Sequence, residues 1–112
     1  MKKETLELDN RFGAEFAGKY VFQEITWAKR NRILQKYTKY NLSTGAVVSS
    51  DYVAIQAETI FASIAEQPAS KPITLDRLLS ETETGLPNAL GEVLTKAANR
   101  VCIVSVDESK NC

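Results

Sequence analysis

The sequence predicts a small α+β protein, mostly α, in which an N-terminal β-hairpin or small antiparallel sheet packs on about four helices. Within residues 1–25, two short segments have the pattern or composition of strands, and turn-forming residues that include glycines lie between them. Beyond residue 26, apolar side chains recur at intervals of three and four, which favours helices. The chain has 112 residues, 44% hydrophobic and 25% charged. We therefore expect a single small domain over residues 1–106, followed by a flexible polar tail over 107–112.

Two segments carry the strand pattern. Residues 6–8, Leu-Glu-Leu, alternate apolar and polar side chains, and residues 19–25 are rich in aromatic and β-branched ones. Between them Asn10, Gly13 and Gly18 supply turn-forming residues, so an antiparallel hairpin or small meander is the simplest connection. A two-stranded ribbon alone is marginally stable in water, so we expect helices to cover its apolar face.

The first helix is predicted to begin after a Thr26 cap and to run toward Tyr40, with residues 41–45 as the turn that ends it. One broad arc of this helix is apolar and carries Trp27, Ile33, Leu34, Tyr37 and Tyr40. The other arc is basic and carries Lys29, Arg32, Lys36 and Lys39. Arg30 projects into the apolar arc, where it must reach the solvent at the rim or meet a carboxylate.

Three further helices are predicted. The second begins near residues 49–51, with a serine cap and Asp51 in the first turn, and it is the strongest core helix of the chain. Its apolar rhythm comprises Val53, Ala57, Ile60, Phe61, Ile64 and Ala65. Pro68 and Pro72 close it, and Thr74 caps a short helix over residues 75–79. The last helix opens at residues 86–87, and the pattern leaves open whether residues 101–106 extend it or form a strand.

The residue inventory argues against catalysis. The chain has no histidine, which is the usual acid–base group near neutral pH and the commonest metal ligand. Cys102 and Cys112 have neither zinc-site spacing nor further cysteines beside them, and no nucleotide-binding or calcium-loop motif is present. We therefore expect a protein that is not an enzyme and that has no cofactor and no metal.

Two features of the sequence concern the compartment in which the protein is expected to act. The basic residues near the N-terminus are not followed by the apolar run of a signal peptide. No stretch approaches the roughly 18 apolar residues that a membrane-spanning helix needs. The expectation is therefore a cytoplasmic protein without a membrane partner.

The charge is unevenly distributed although its formal total is zero, with 14 basic and 14 acidic side chains. Residues 26–40 contain five basic and no acidic side chains, residues 1–25 four basic and five acidic, and residues 41–112 five basic and nine acidic. Three interpretations of the basic segment stay open: a solvated or internally paired helix face, a protein-binding surface, or a nucleic-acid surface. The balanced total argues against nucleic acid, because neutralising phosphates supplies much of the affinity of such domains.

The run from Phe22 to Leu34, FQEITWAKRNRIL, follows the predicted hairpin and precedes residues 44–45, Thr-Gly, and 50–52, Ser-Asp-Tyr. With this layout the chain resembles the small tail assembly chaperones encoded in the tail modules of long-tailed phages and prophages. In that family a hairpin leads into an aromatic and Thr-Trp segment, a basic helix, a second helix, a proline-containing connection and a terminal helical pair. The resemblance in layout extends from about Leu6 to Ala98, and its sequence-specific part is short.

The resemblance implies a non-enzymatic role: binding the tape measure protein, keeping it soluble, and helping tail tube subunits to gather around it. On that basis the expected partner-binding residues are Lys29, Arg30, Arg32, Lys36, Tyr37, Lys39 and Tyr40, with the basic stripe steering the partner and the tyrosines as anchors. The competing interpretation makes Trp27 and Tyr37 core residues against the hairpin, and for Trp27 this interpretation is preferred.

Two other expectations accompany this one. The chain is a possible homo-oligomer, because its basic helix has acidic surface to pair with on a second copy. The alternative function is a small prophage-encoded nucleic-acid-binding or regulatory protein that uses the basic residues 29–39.

Overall fold

The computed structural model describes residues 1–70 and 72–102 and confirms the α+β class. Four helices accompany a three-stranded antiparallel sheet and a separate two-stranded one within that part of the chain. In chain order the elements are β1 (Lys3–Leu8), two short 3₁₀ turns (Asn10–Phe12 and Ala14–Phe16), β2 (Gly18–Gln23), α1 (Trp27–Lys36), β3 (Thr38–Tyr40), β4 (Val47–Ser50), α2 (Tyr52–Ser63), β5 (Ile64–Glu66), α3 (Leu75–Leu79) and α4 (Asn88–Cys102).

The larger sheet has the strand order β1-β2-β5 with both neighbours antiparallel, and Leu6 lies opposite Tyr20. Side chains alternate across it, so Tyr20 and Phe22 on the central strand face inward and are fully buried. Helix α4 packs against β1 and β2 and contributes its buried stripe. The main core cluster therefore joins the sheet to α4 and comprises Leu8, Phe16, Tyr20, Phe22, Ile60, Ile73, Leu90, Leu94, Ala97, Ala98 and Val101.

Two contacts fix the connection into the central strand. Gly18 has φ +141°, and a Cβ atom built there would lie 2.7 Å from Cγ of Pro68, so only glycine fits between β2 and the segment after β5. The buried Tyr20 hydroxyl donates a hydrogen bond of 2.9 Å to the backbone oxygen of Phe16. The sheet thus accommodates a buried polar group without leaving it unsatisfied.

The first helix is shorter than predicted. Helix α1 ends at Lys36, and residues 38–40, predicted to continue it, form β3, which pairs with β4. The turn between these strands explains the change. The Asn41 side chain accepts hydrogen bonds from the backbone N–H groups of Ser43 and Thr44, and Gly45 adopts the left-handed φ of +75°. Residues 41–45 are therefore the turn of a hairpin.

The second helix also differs from its prediction. Asp51 is the cap itself, accepting a 3.1 Å hydrogen bond from the Ala54 N–H, so the predicted serine cap is wrong. The helix ends at Ser63, and Ile64 belongs to β5, which adds to the free edge of β2. A short apolar run does not distinguish a helix end from a strand, and the open sheet edge decides in favour of the strand.

The remaining boundaries agree well with the sequence. Thr74 caps α3, which covers residues 75–79 as expected, by accepting from the Arg77 N–H. Helix α4 includes residues 101–102, which favours the helical alternative there. Residues 103–106, and the polar tail predicted over 107–112, lie outside the described residues.

Candidate partner-binding surface

Helix α1 forms at the predicted position because of its cap. The Thr26 hydroxyl accepts a 3.1 Å hydrogen bond from the Lys29 N–H, which satisfies one of the free donors of the first turn. The ten residues of α1 include four basic side chains and no acidic one. Ile33 is its one buried residue, and α1 packs against α2. The rest of the helix surface is therefore available to solvent.

Trp27, the only tryptophan of the chain, lies at the start of α1 with 81% of its surface exposed. The interpretation of Trp27 as a core residue against the hairpin is therefore wrong. The physical reason is that α4 covers β1 and β2, where a tryptophan on the following helix was expected to pack. A large aromatic ring left in water at a helix start is a feature of binding surfaces, because burying it on a partner is strongly favourable.

Lys29, Arg30 and Arg32 are all exposed on α1. Within residues 1–70 and 72–102, none of the three forms an ion pair. Arg30, which was expected either to reach solvent or to meet a carboxylate, reaches solvent. With Trp27 these exposed side chains surround the first two turns of α1, Trp27 and Arg30 on one side and Lys29 and Arg32 on the other, and we call the four together the basic face.

Lys36 and Tyr37 have a different environment, because both contact a nearly buried carboxylate of α2. Nζ of Lys36 lies 2.9 Å from Oε1 of Glu58, and the Tyr37 hydroxyl donates to the same oxygen at 3.2 Å. The Lys36 ammonium also lies 5.3 Å from the centre of the Tyr37 ring. These two predicted partner-binding residues therefore hold the end of α1 against α2.

The pKa values of Lys36 and Glu58 are both shifted, because the two groups form an ion pair. The hydrogen bond from Lys36 lowers the pKa of Glu58, against the opposing effect of burial. The hydrogen bond to Glu58 raises the pKa of Lys36 correspondingly. Both groups are charged at neutral pH, and the contact is a salt bridge with one buried end. Glu58 was not singled out from the sequence, although a lone carboxylate between the apolar positions Ala57 and Ile60 was a usable signal.

Lys39 and Tyr40, the last two predicted partner-binding residues, are exposed on β3. The seven predicted residues therefore do not form one helical stripe, because they divide between α1, its end at Tyr37, and β3. The sequence reasoning also missed the exposed apolar side chains of the hairpin turn and of β4, which are Leu42, Val47 and Val48.

An open hollow of about 530 Å³ lies beside the start of α1. Thr26 and Lys29 line it from α1, and Glu58 and Phe61 line it from α2. Phe61 is 41% exposed although it belongs to the predicted apolar rhythm of α2. The hollow thus combines an apolar wall that includes Phe61 with one cation, Lys29, and two carboxylates, Glu24 and Glu58, which is suitable for a side chain of a protein partner.

Two further observations concern the part of the chain that the structure describes. No group of three or more His, Cys, Asp or Glu side chains there is arranged to hold a metal ion. None of the helices described is long and apolar enough to span a membrane. Comparison of the chain with protein-family models, with curated proteins and with solved structures gives no match in any of the three.

Proposed function

We propose that this chain is a non-enzymatic, protein-binding assembly factor that acts in the host cytoplasm, as a phage tail assembly chaperone does. The observation that carries the proposal is that one short helix exposes Trp27 and three cationic side chains, Lys29, Arg30 and Arg32. An arrangement of an aromatic ring and guanidinium groups is typical of the residues that dominate protein interfaces. The resemblance to tail assembly chaperones supplies the partner, which is the tape measure protein or the tail tube protein.

The physical requirements of such a partner agree with the basic face. A chaperone that keeps a long amphipathic helix soluble needs exposed apolar and charged contacts on a small scaffold. Trp27 and the hollow with Phe61 offer apolar contact, while Lys29, Arg30 and Arg32 supply complementary charge. Charges on an exposed helix contribute mainly to the association rate, and the tryptophan contributes mainly to the lifetime of the complex.

The test is binding of the purified chain to the tape measure protein of the same tail module. The variant Lys29→Glu plus Arg32→Glu reverses two exposed charges that form no ion pair within residues 1–70 and 72–102, and it keeps both partners of the Lys36–Glu58 bridge. We expect binding to weaken at least about tenfold and to lose much of its salt dependence. The fluorescence of the single Trp27 provides a second readout, because its emission shifts to shorter wavelength when the ring leaves water.

The matched control is Lys19→Glu plus Lys96→Glu, which changes the net charge by the same amount at exposed positions on β2 and α4. If both double variants weaken binding equally, overall charge and not the basic face attracts the partner. If neither does, and the Trp27 emission stays unchanged on mixing, the basic face is not the tape measure site.

The nucleic-acid alternative remains because the basic residues of α1 are exposed. It requires a mobility shift with a short duplex or single strand at low salt, reduced by the same Lys29→Glu plus Arg32→Glu variant. Absence of any shift at low salt removes it.

A further inference from the structure

The hairpin of β3 and β4 has a strand edge that pairs with no other strand of the described residues. The smaller sheet contains these two strands alone within residues 1–70 and 72–102. Its apolar side chains are exposed, with Val47 and Val48 at 60% and 65%. An unpaired edge presents free backbone N–H and C=O groups and is a template for pairing with another strand.

Proteins usually protect such an edge with charged residues or proline. Residues 41–50, Asn-Leu-Ser-Thr-Gly-Ala-Val-Val-Ser-Ser, contain neither. The protective feature present is a bulge, since the register shifts between Lys39 and Tyr40 and leaves Val48 without a partner on β3. A bulge redirects a side chain, but it does not repel another strand as a charge does.

The exposed apolar side chains of the described residues are concentrated near this hairpin. Six of the ten large ones lie between residues 40 and 53, namely Tyr40, Leu42, Val47, Val48, Tyr52 and Val53. Four of these side chains, Tyr40, Leu42, Val47 and Val48, belong to the hairpin, and together they expose on the order of 500 Å². That is more than half of the roughly 800 Å² that each partner of a stable complex buries, so the hairpin can supply the centre of an interface.

We propose that this hairpin pairs with the same hairpin of a second copy of the chain, with β4 antiparallel to β4 of the other copy about a twofold axis. In such an interface each segment faces itself, so any charge within it meets its like. The lack of charge over residues 41–50 fits self-pairing. The one charged side chain on the strands of the hairpin is Lys39, which lies on β3 opposite Ser49 and not on the β4 edge proposed to pair.

The first experiment measures mass by sedimentation equilibrium. The wild-type chain is a dimer of twice 12.4 kDa at about 100 μM, with a dissociation constant on the order of 10 μM. Val48→Lys and Val48→Glu each place like charges across the axis and weaken the dimer at least about tenfold. The control Ala89→Lys adds the same charge at an exposed position on α4 and leaves the dimer intact.

The decisive step mixes the two Val48 variants. Lysine on one copy then faces glutamate on the other, so the mixed dimer is expected to be tighter than the dimer of either variant alone. A monomeric wild type at about 100 μM overturns the proposal, as does a dimer that Val48→Lys leaves unchanged. Failure of the mixture to recover a dimer overturns the twofold β4 pairing. Loss of tape measure binding in Val48→Lys with a monomeric wild type assigns the hairpin to that partner instead.

This proposal stands apart from the proposed function. Lys29→Glu plus Arg32→Glu is expected to retain the dimer, and circular dichroism melting of each Val48 variant excludes unfolding as the cause of dissociation. A dimer without tape measure binding refutes only the function, and tape measure binding by a strict monomer refutes only the pairing.

Discussion

The body of the molecule and its arm are built differently. The body consists of β1, β2, β5, α3 and α4 with the inner side of α2, and it contains the whole main core cluster. The arm consists of α1, β3 and β4, and Ile33 is its one buried hydrophobic side chain. Folding free energy therefore resides in the body, while the arm has large side chains that the fold does not use. The difference indicates where selection for binding rather than for stability can act.

The first prediction compares the loss of stability when a leucine of the body and a leucine of the arm are each replaced by alanine, and it has the largest expected effect. Leu94 is completely buried in α4, and Leu42 in the hairpin turn is fully exposed. Leu94→Ala lowers the free energy of unfolding by about 3 kcal/mol, because it removes buried methyl groups and leaves a cavity. Leu42→Ala changes it by less than about 0.5 kcal/mol. Urea unfolding at about 1 μM protein, where self-association does not contribute, measures both.

A comparable cost for the two leucines would show that the hairpin turn is packed in solution. The distinction between body and arm would then be wrong, and so would the use of Leu42 as part of a free surface.

The second prediction concerns Ile33 of the arm, and its expected effect on stability is smaller and confined to the arm. Ile33→Ala removes the buried anchor of the arm and costs about 2 kcal/mol. Because Ile33 lies outside the main core cluster, we expect faster hydrogen exchange of amides in α1, β3 and β4 while those of β2 and α4 stay protected. Ile33→Val is the conservative control, with a cost of about 1 kcal/mol. Uniformly faster exchange across β2 and α4 would mean that the arm and the body unfold as one unit.

The same division explains what the sequence predicts well. In the body, β1, β2, the Thr74 cap and the stripe of α4 follow from alternation, capping chemistry and helical periodicity, which are local properties. Strand β5 is the exception, because residues 64–65 were predicted to be helical. These signals act within a few residues, so they survive whatever the tertiary contacts are. Most of the secondary structure of the body can therefore be predicted from the sequence.

The structure of the arm is harder to predict from the sequence, because contacts between elements that are distant in the chain determine it. Trp27 reads as core, but α4 occupies the sheet face that it would cover. The alternation around the Asn41 and Gly45 turn is a hairpin signal that the helical period of Tyr37 and Tyr40 obscures. The Lys36–Glu58 bridge joins residues from two elements, and no spacing in one sequence reveals such a pair.

The third prediction concerns the contact between arm and body, and it has the smallest expected effect on stability. At this contact Glu58 accepts hydrogen bonds from Lys36 and Tyr37. Glu58→Gln removes the charge and keeps the shape, so we expect the melting temperature at neutral pH to fall by about 3 °C. The pKa of Glu58 is lowered from its ordinary 4.5, so its contribution is complete above that value and disappears as the pH falls through the lower folded-state pKa.

The difference in melting temperature between wild type and Glu58→Gln should therefore be constant from pH 7 to about pH 5 and shrink below pH 4.5. At the alkaline end the raised pKa of Lys36 keeps the bridge intact until the pH exceeds 10.5. Glu92→Gln, at an exposed position on α4, is the matched control and should show no such pH-dependent gap. A gap that persists undiminished at pH 3 would mean that the stabilisation comes from the shape and neutral hydrogen bonds of Glu58, and that charge pairing does not hold the arm to the body.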